Sequence, residues 1–182
     1  ADDVIGTLAA QATEAKRDTV ISTSDKDMAQ LVSDHVTLVN TMTDTTLDRK
    51  GVEAKFGVPP ERIIDYLALM GDSVDNIPGV PTAGPKTASN GLAEQGSLDA
   101  VIAHADEFKG KVGENLRASL GQLPLSRDLT TIKCDVQLEV DIDELAPSPP
   151  DEEALRALFE RLEFKSWLAE LETEVPSDPP KA

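Results

Sequence analysis

The strongest constraint on the fold lies in the first forty residues, where a helical pattern and a β-branched run alternate twice. Asp2 through Lys16 places apolar residues at Val4, Ile5, Leu8, Ala9 and Ala12, the spacing of one buried helical face. Thr19-Val20-Ile21-Ser22-Thr23 follows as a short strand, Met28, Leu31 and Val32 mark a brief second helix, and Val36-Thr37-Leu38-Val39-Asn40 reads as a second strand. Such alternation predicts an α/β fold with a mostly parallel sheet. Two strands are too few for a stable sheet, and a domain rarely begins on a helix with neither cap nor strand before it. The expectation is therefore a partial α/β core that lacks N-terminal sequence.

From Leu47 the pattern changes to helices with short breaks, predicted from Asp48 to Phe56, Pro60 to Met70, Pro85 to Gln95, Ser97 to His104 and Lys111 to Leu123. Pro60 suits a first helical position, and Gly71 and Gly96 fall where left-handed residues end helices. Leu129 to Val140 is rich in β-formers and predicts an extended strand returning to the sheet. Pro147, Pro149 and Pro150 break the chain before an amphipathic helix from Asp151 through Leu155, Leu158, Phe159 and Leu162 to about Trp167. The predicted division is an α/β core over 1–46, a mainly α-helical domain over 47–128, the returning strand and terminal helix over 129–168, and an acidic, Pro-rich linker over 169–182.

Three acidic pairs stand at element ends: Asp2-Asp3, Asp25 with Asp27, and Asp72 with Asp75. The second lies just past the C-terminal end of a parallel strand, the edge where open α/β sheets place ligands. Carboxylates gathered in one cleft repel unless a cation sits between them, and an all-oxygen set without His or Cys suits Mg²⁺ or Mn²⁺ better than zinc. Each pair also has a plain structural reading. Asp2-Asp3 reads more readily as decoration of a helix start, Asp25 and Asp27 precede a helix, and Asp72 and Asp75 can be turn residues. No pair is decisive by itself.

The run from Asn76 to Ala88, Asn-Ile-Pro-Gly-Val-Pro-Thr-Ala-Gly-Pro-Lys-Thr-Ala, is a Gly/Pro hairpin leading straight into a helix. Glycine lets backbone approach a phosphate, a helix start offers free N–H donors, and Lys86 and Thr87 add a charge and a hydroxyl. A plain helix-helix turn is the competing reading. The run is not a P-loop, because Pro85 intervenes between Gly84 and Lys86.

The net charge of -17 argues against a nucleic-acid binder until its distribution is seen. From Asp135 onward there are 14 acidic and 4 basic residues, against 20 and 13 upstream, so the excess is concentrated in the tail. Six of the upstream acids are the candidate ligands. Cys134 is the only cysteine, which excludes a disulfide framework, and there is no signal peptide or long apolar run. A cytoplasmic protein with no membrane contact is expected.

Four ordered segments then resemble the 5'-nucleases of the flap endonuclease family, the kind fused to bacterial DNA polymerase I. They are Ala1 to Leu8, Ile21 to Leu31 (Ile-Ser-Thr-Ser-Asp-Lys-Asp-Met-Ala-Gln-Leu), Tyr66 to Val80 (with Met70-Gly71-Asp72-Ser73-Val74-Asp75-Asn76), and Gly84 to Ala88. The resemblance reaches about Trp167. It implies a partial PIN-like core and a helix-three-turn-helix module that grips DNA. It also implies that Asp2, Asp3, Asp25, Asp27, Asp72 and Asp75 are metal-site aspartates serving two-metal phosphodiester hydrolysis. The same resemblance assigns DNA-backbone contact to the hairpin, through Gly79, Val80, Gly84, Lys86 and Thr87, with a monovalent cation such as K⁺ at that module. Implied partners are DNA with a 5' flap, nick or end, RNA primer–DNA hybrids, and covalently linked polymerase modules. The family's first metal-binding acidic residue and its helical arch belong to sequence before Ala1, so impaired activity or binding alone is the alternative. Ser24, Gly91 and Gln95 depart from the family pattern, at a turn usually made by Gly and at two helix positions usually large and apolar.

Overall fold

In the computed structural model, which describes residues 1–173, α1 (Asp2–Glu14) buries Gly6, Thr7, Ala9 and Ala12. This stripe is rotated from the predicted one: Val4 is exposed, and Ile5 and Leu8 are half-buried. The cause is a close approach at Gly6, where a Cβ would lie 2.5 Å from Ile132 Cγ2. After α1, β1 (Thr19–Ser22) and β2 (Val36–Asn40) pair in parallel with Thr19 opposite Val36. A third strand, β3 (Thr45–Leu47), pairs antiparallel with β2, Leu38 facing Leu47. Three residues are too few to show an alternation in sequence, which is why β3 went unpredicted. The brief helix expected between the strands is a 3-10 turn over Asp27–Leu31.

Asp48 caps α2 (Arg49–Phe56) by accepting the Gly51 N–H at 2.7 Å, and Gly57 ends it at φ 73°. The predicted helix from Pro60 divides into a 3-10 turn (Pro60–Arg62) and α3 (Ile63–Met70). Because α3 is apolar on nearly every side, it runs through the centre, with Ile63, Tyr66, Leu67, Ala68 and Leu69 buried. It packs against α4 (Pro85–Gln95), α7 (Leu123–Thr130) and the 27–31 turn. Between these, α5 (Leu98–Ala103) is capped by Ser97 and by the buried carboxylate of Asp65, which accepts the Leu98 N–H at 3.1 Å. The single helix predicted over 111–123 is instead α6 (Gly110–Ser119) and the start of α7. One continuous apolar core joins Ile21, Val36 and Leu38 to Met28, Ile63 and Leu67, and onward to Leu98, Val101, Leu116 and Leu123. Each such side chain contributes about 1.5–3 kcal/mol on burial.

Leu129–Val140 does not return to the sheet as a strand. Its first two residues finish α7, and the rest has no regular structure and is held by side chains instead of a ladder. Gln30 accepts the Ile132 N–H and donates to the Thr130 carbonyl, each at 2.9 Å, while Asp3 accepts the Lys133 N–H at 2.9 Å and Thr7 the Val136 N–H at 3.1 Å.

Residues 143–173 belong to a second unit. In it α8 (Glu152–Arg161), capped by Asp151, and α9 (Lys165–Thr173) replace the single helix predicted to Trp167, separated by Glu163 at φ 57°. Phe159, Phe164 and Trp167 pack together, the last two with ring centroids 4.8 Å apart. The predicted linker is helical up to Thr173, and its remaining residues, 174–182, lie outside the described residues. No helix among the described residues is long and apolar enough to cross a membrane.

Candidate functional site

The chain leaves β1 by extending its ladder one residue, Thr23 N–H donating to Val39 O at 2.9 Å. Thr23 Oγ1 then accepts the Asp25 N–H at 3.0 Å, and Asp25 Oδ1 accepts the Asp27 N–H at 2.9 Å. These two side-chain turns set the direction of the 27–31 turn and hold Asp27 at the C-terminal edge of the sheet. Ser24 in this loop takes no positive φ, so its departure from the usual Gly costs no backbone strain. Opposite, α3 stops at Gly71, whose φ is 76° with an extended ψ of 172°. Asp72 and Ile77 exchange both backbone hydrogen bonds, at 2.8 and 2.7 Å, enclosing Ser73 to Asn76 in a tight loop with Asn76 at φ 56°. Gly71 must be glycine for a second reason: a Cβ there would lie 2.3 Å from the Gly79 nitrogen.

These two loops bring one carboxylate oxygen each of Asp27, Asp72 and Asp75 within 4.8 Å of one another. Asp72 is buried, Asp27 half-buried and Asp75 exposed. Burial first, then the neighbouring Asp25, pushes the Asp27 carboxyl up to about 6. Asp72 moves the other way, chiefly because Lys26 hydrogen-bonds it, with Lys26 Nζ 2.5 Å from Asp72 Oδ2. For Lys26, burial alone would lower its pKa, but Asp72, Asp27 and Asp25 together raise it. Asp27 Oδ1 is buried and has no hydrogen-bond partner. Such an orphaned anionic oxygen beside two further carboxylates fits a hard divalent cation.

Asp25 adjoins this group through its turn and its charge. Asp2 and Asp3, exposed in the first turn of α1, are not among the three convergent carboxylates, and Asp3 is engaged by the Lys133 N–H.

The hairpin begins where the acidic loop ends. Val80 N–H donates to Leu69 O at 2.8 Å and Ala83 N–H to Val80 O at 2.9 Å, with Thr82 held at φ 71°. Three side chains that sequence reasoning missed fasten it from behind. Asn115 Nδ2 donates to Pro81 O at 2.7 Å and to Thr82 Oγ1 at 3.1 Å; Gln122 Nε2 donates to Gly79 O at 3.2 Å; Ser126 Oγ donates to Pro78 O at 2.7 Å. Gly84 then leads into α4 with Pro85 at its first position and no side-chain cap, and the Gly84 carbonyl accepts the Thr87 and Ala88 N–H groups, each at 3.0 Å. Lys86 is exposed and Thr87, Gly79 and Gly84 half-buried. Val80, expected among the backbone-contact residues, is 3% exposed as a whole and belongs to the core. Behind the hairpin a cavity of about 20 Å³ is lined by residues that include Leu69, Val80, Gly91, Phe108 and Leu116. Gln95 sits half-buried at the end of α4.

Comparison with known proteins agrees with this architecture. A family described as "5'-3' exonuclease, N-terminal resolvase-like domain" matches residues 1–57, and "5'-3' exonuclease, C-terminal SAM fold" matches residues 58–153. The DNA polymerase I of Pseudomonas aeruginosa is 55% identical over 94% of this chain, which spans 20% of that protein. A 5'-3' exonuclease of Aquifex aeolicus is 39% identical over 94% of this chain, which spans 58% of it. Among solved structures, the T5 5'-exonuclease with bound divalent zinc is 25% identical with a TM-score of 0.67, covering 72% of this chain and 49% of its own. With both family descriptions matched end to end, over the α/β part that carries Asp27 and the helical part that carries Asp72, Asp75 and the hairpin, the chain belongs to the 5'-3' exonuclease family.

Proposed function

We propose that this chain is part of a metal-dependent 5'-nuclease that hydrolyses phosphodiester bonds in DNA, as a 5'-3' exonuclease or 5'-flap endonuclease acting in primer removal and repair. The convergence of Asp27, Asp72 and Asp75, directly joined to a hairpin that opens into an uncapped helix, carries the reading. Asp27, Asp72 and Asp75, with Asp25 alongside, hold Mg²⁺ or Mn²⁺, and Asp2 and Asp3 complete the set from α1. Bound there, the cations acidify an attacking water and stabilise charge on the phosphate. The protein supplies ligands and alignment and no nucleophile. The backbone of Gly79, Val80 and Gly84, the Lys86 ammonium and the Thr87 hydroxyl hold a phosphate of the duplex, with K⁺ as a monovalent ion at the same turn. The substrates are duplexes with a 5' flap, nick or end and RNA primer–DNA hybrids, and in the full-length protein polymerase modules are covalently linked.

The test is a 5'-labelled flap duplex incubated with the chain in Mg²⁺ or Mn²⁺, beside EDTA and an Asp72→Asn/Asp75→Asn variant. Metal-dependent cutting that drops by about 100-fold or more in the variant supports the reading. A second reading, a module that binds DNA without cutting it, is favoured by the position of Asp2 and Asp3 outside the convergent group. It predicts a shifted band without cleavage. In either case Lys86→Ala should weaken binding and reduce its salt slope by about 1. Absence of both cutting and binding would defeat both readings.

A further inference from the structure

Lys26 lies within the acidic group, not at its rim. It sits between Asp25 and Asp27 in sequence, so the loop that delivers two carboxylates delivers their counter-charge as well. Its backbone is helical, φ −69° and ψ −26°, at the start of the same 3-10 turn that holds Asp27. The position of Lys26 and that of Asp27 are thus set by one piece of chain.

Which oxygen Lys26 takes is informative. Asp72 Oδ1 already accepts the Val74 N–H at 2.8 Å, and it is the other oxygen, Oδ2, that Lys26 Nζ approaches to 2.5 Å. A divalent cation drawn to Asp72 would seek the same oxygen. An ammonium and a divalent ion cannot share that space, since like charges in a partly buried site repel strongly. The Lys26 side chain is 34% exposed against 5% for Asp72, so the lysine has an open route to solvent and the aspartate does not. A flexible four-carbon stem makes that movement possible without a backbone change.

Resting on the reading of Asp27, Asp72 and Asp75 as a metal site, we propose that Lys26 is a built-in counter-ion that competes with the divalent cation for Asp72 Oδ2. It keeps the carboxylates together in metal-free solution and swings outward as the cation enters. Lys26 thereby sets the affinity of the site from within its own ligand loop.

The experiment is calorimetric titration of Mn²⁺ into the full chain and into its Lys26→Met and Lys26→Arg variants, with thermal melts of all three in EDTA. Lys26→Met should bind Mn²⁺ about three- to tenfold more tightly and melt at lower temperature in EDTA. Lys26→Arg, which keeps the charge, should stay close to the parent in both. Weaker or unchanged Mn²⁺ binding by Lys26→Met, in a variant that still melts cooperatively, would overturn the proposal while leaving the metal site standing. If the parent binds no Mn²⁺, or binds it equally well after Asp72→Asn/Asp75→Asn, the metal-site reading itself fails and the role of Lys26 falls with it.

Discussion

Asp27 is held in a setting that opposes its charge. Its carboxyl titrates near 6 when folded, against 3.8 ordinarily, with burial the larger cause and Asp25 the next. A raised folded pKa means that the protonated form favours the fold, a contribution fully present below about 3.8 and lost as pH rises through about 6. In EDTA, Asp27→Asn should therefore raise the melting midpoint at about pH 7.5, and the gain should shrink as the pH falls towards 4; melts at several pH values check this. With Mn²⁺ present the order should reverse, because the variant loses a ligand oxygen. Asp27, Asp72 and Asp75 stood out in sequence as members of paired acids at element ends, but so did Asp2, Asp3 and Asp25, and which of the six converge is set by tertiary packing that pairing does not encode. Asn115, Gln122 and Ser126 did not stand out. A polar side chain on a helix reads as a solvated face, and their carbonyl partners lie 34 to 48 residues away.

Among the elements, α4 was readable to the residue because both of its ends carry local punctuation, Pro85 at the start and Gly96 in the left-handed region at the end. The stretch over 129–140 was misread because extended preference is local while the choice of partner is not. Gln30, Asp3 and Thr7 lie far away in sequence. Within α4, Gly91 is a weak point that the structure makes specific. A Cβ there would meet the Phe108 ring at 3.6 Å, ordinary contact, and would partly fill the cavity behind the hairpin. Gly91→Ala should stabilise the protein by about 1 kcal/mol, from helix propensity and unfolded-chain entropy, read as a rise in the urea midpoint with unchanged slope. If the hairpin is a DNA grip, stiffening its support should leave binding intact or improve it.

Across the first 142 residues, the α/β and helical parts share one core and are also tied by polar bonds that bridge about a hundred positions of sequence. Gln30 carries two of them from a single side chain. Gln30→Ala should cost about 1–3 kcal/mol in urea unfolding, because the Ile132 N–H and Thr130 carbonyl both lose a part-buried partner. A loss far smaller would show that the core alone joins the two parts. The Gly71–Gly79 contact has a different consequence. It presses the backbone that enters the acidic loop against the backbone that begins the hairpin, with no side chain between them and no slack. Under the proposed function, the carboxylates that define the point of cleavage and the turn that grips a phosphate are marks on one rigid ruler. Which bond is cut is then a length measured along the nucleic acid from where it is held, without any reading of its bases.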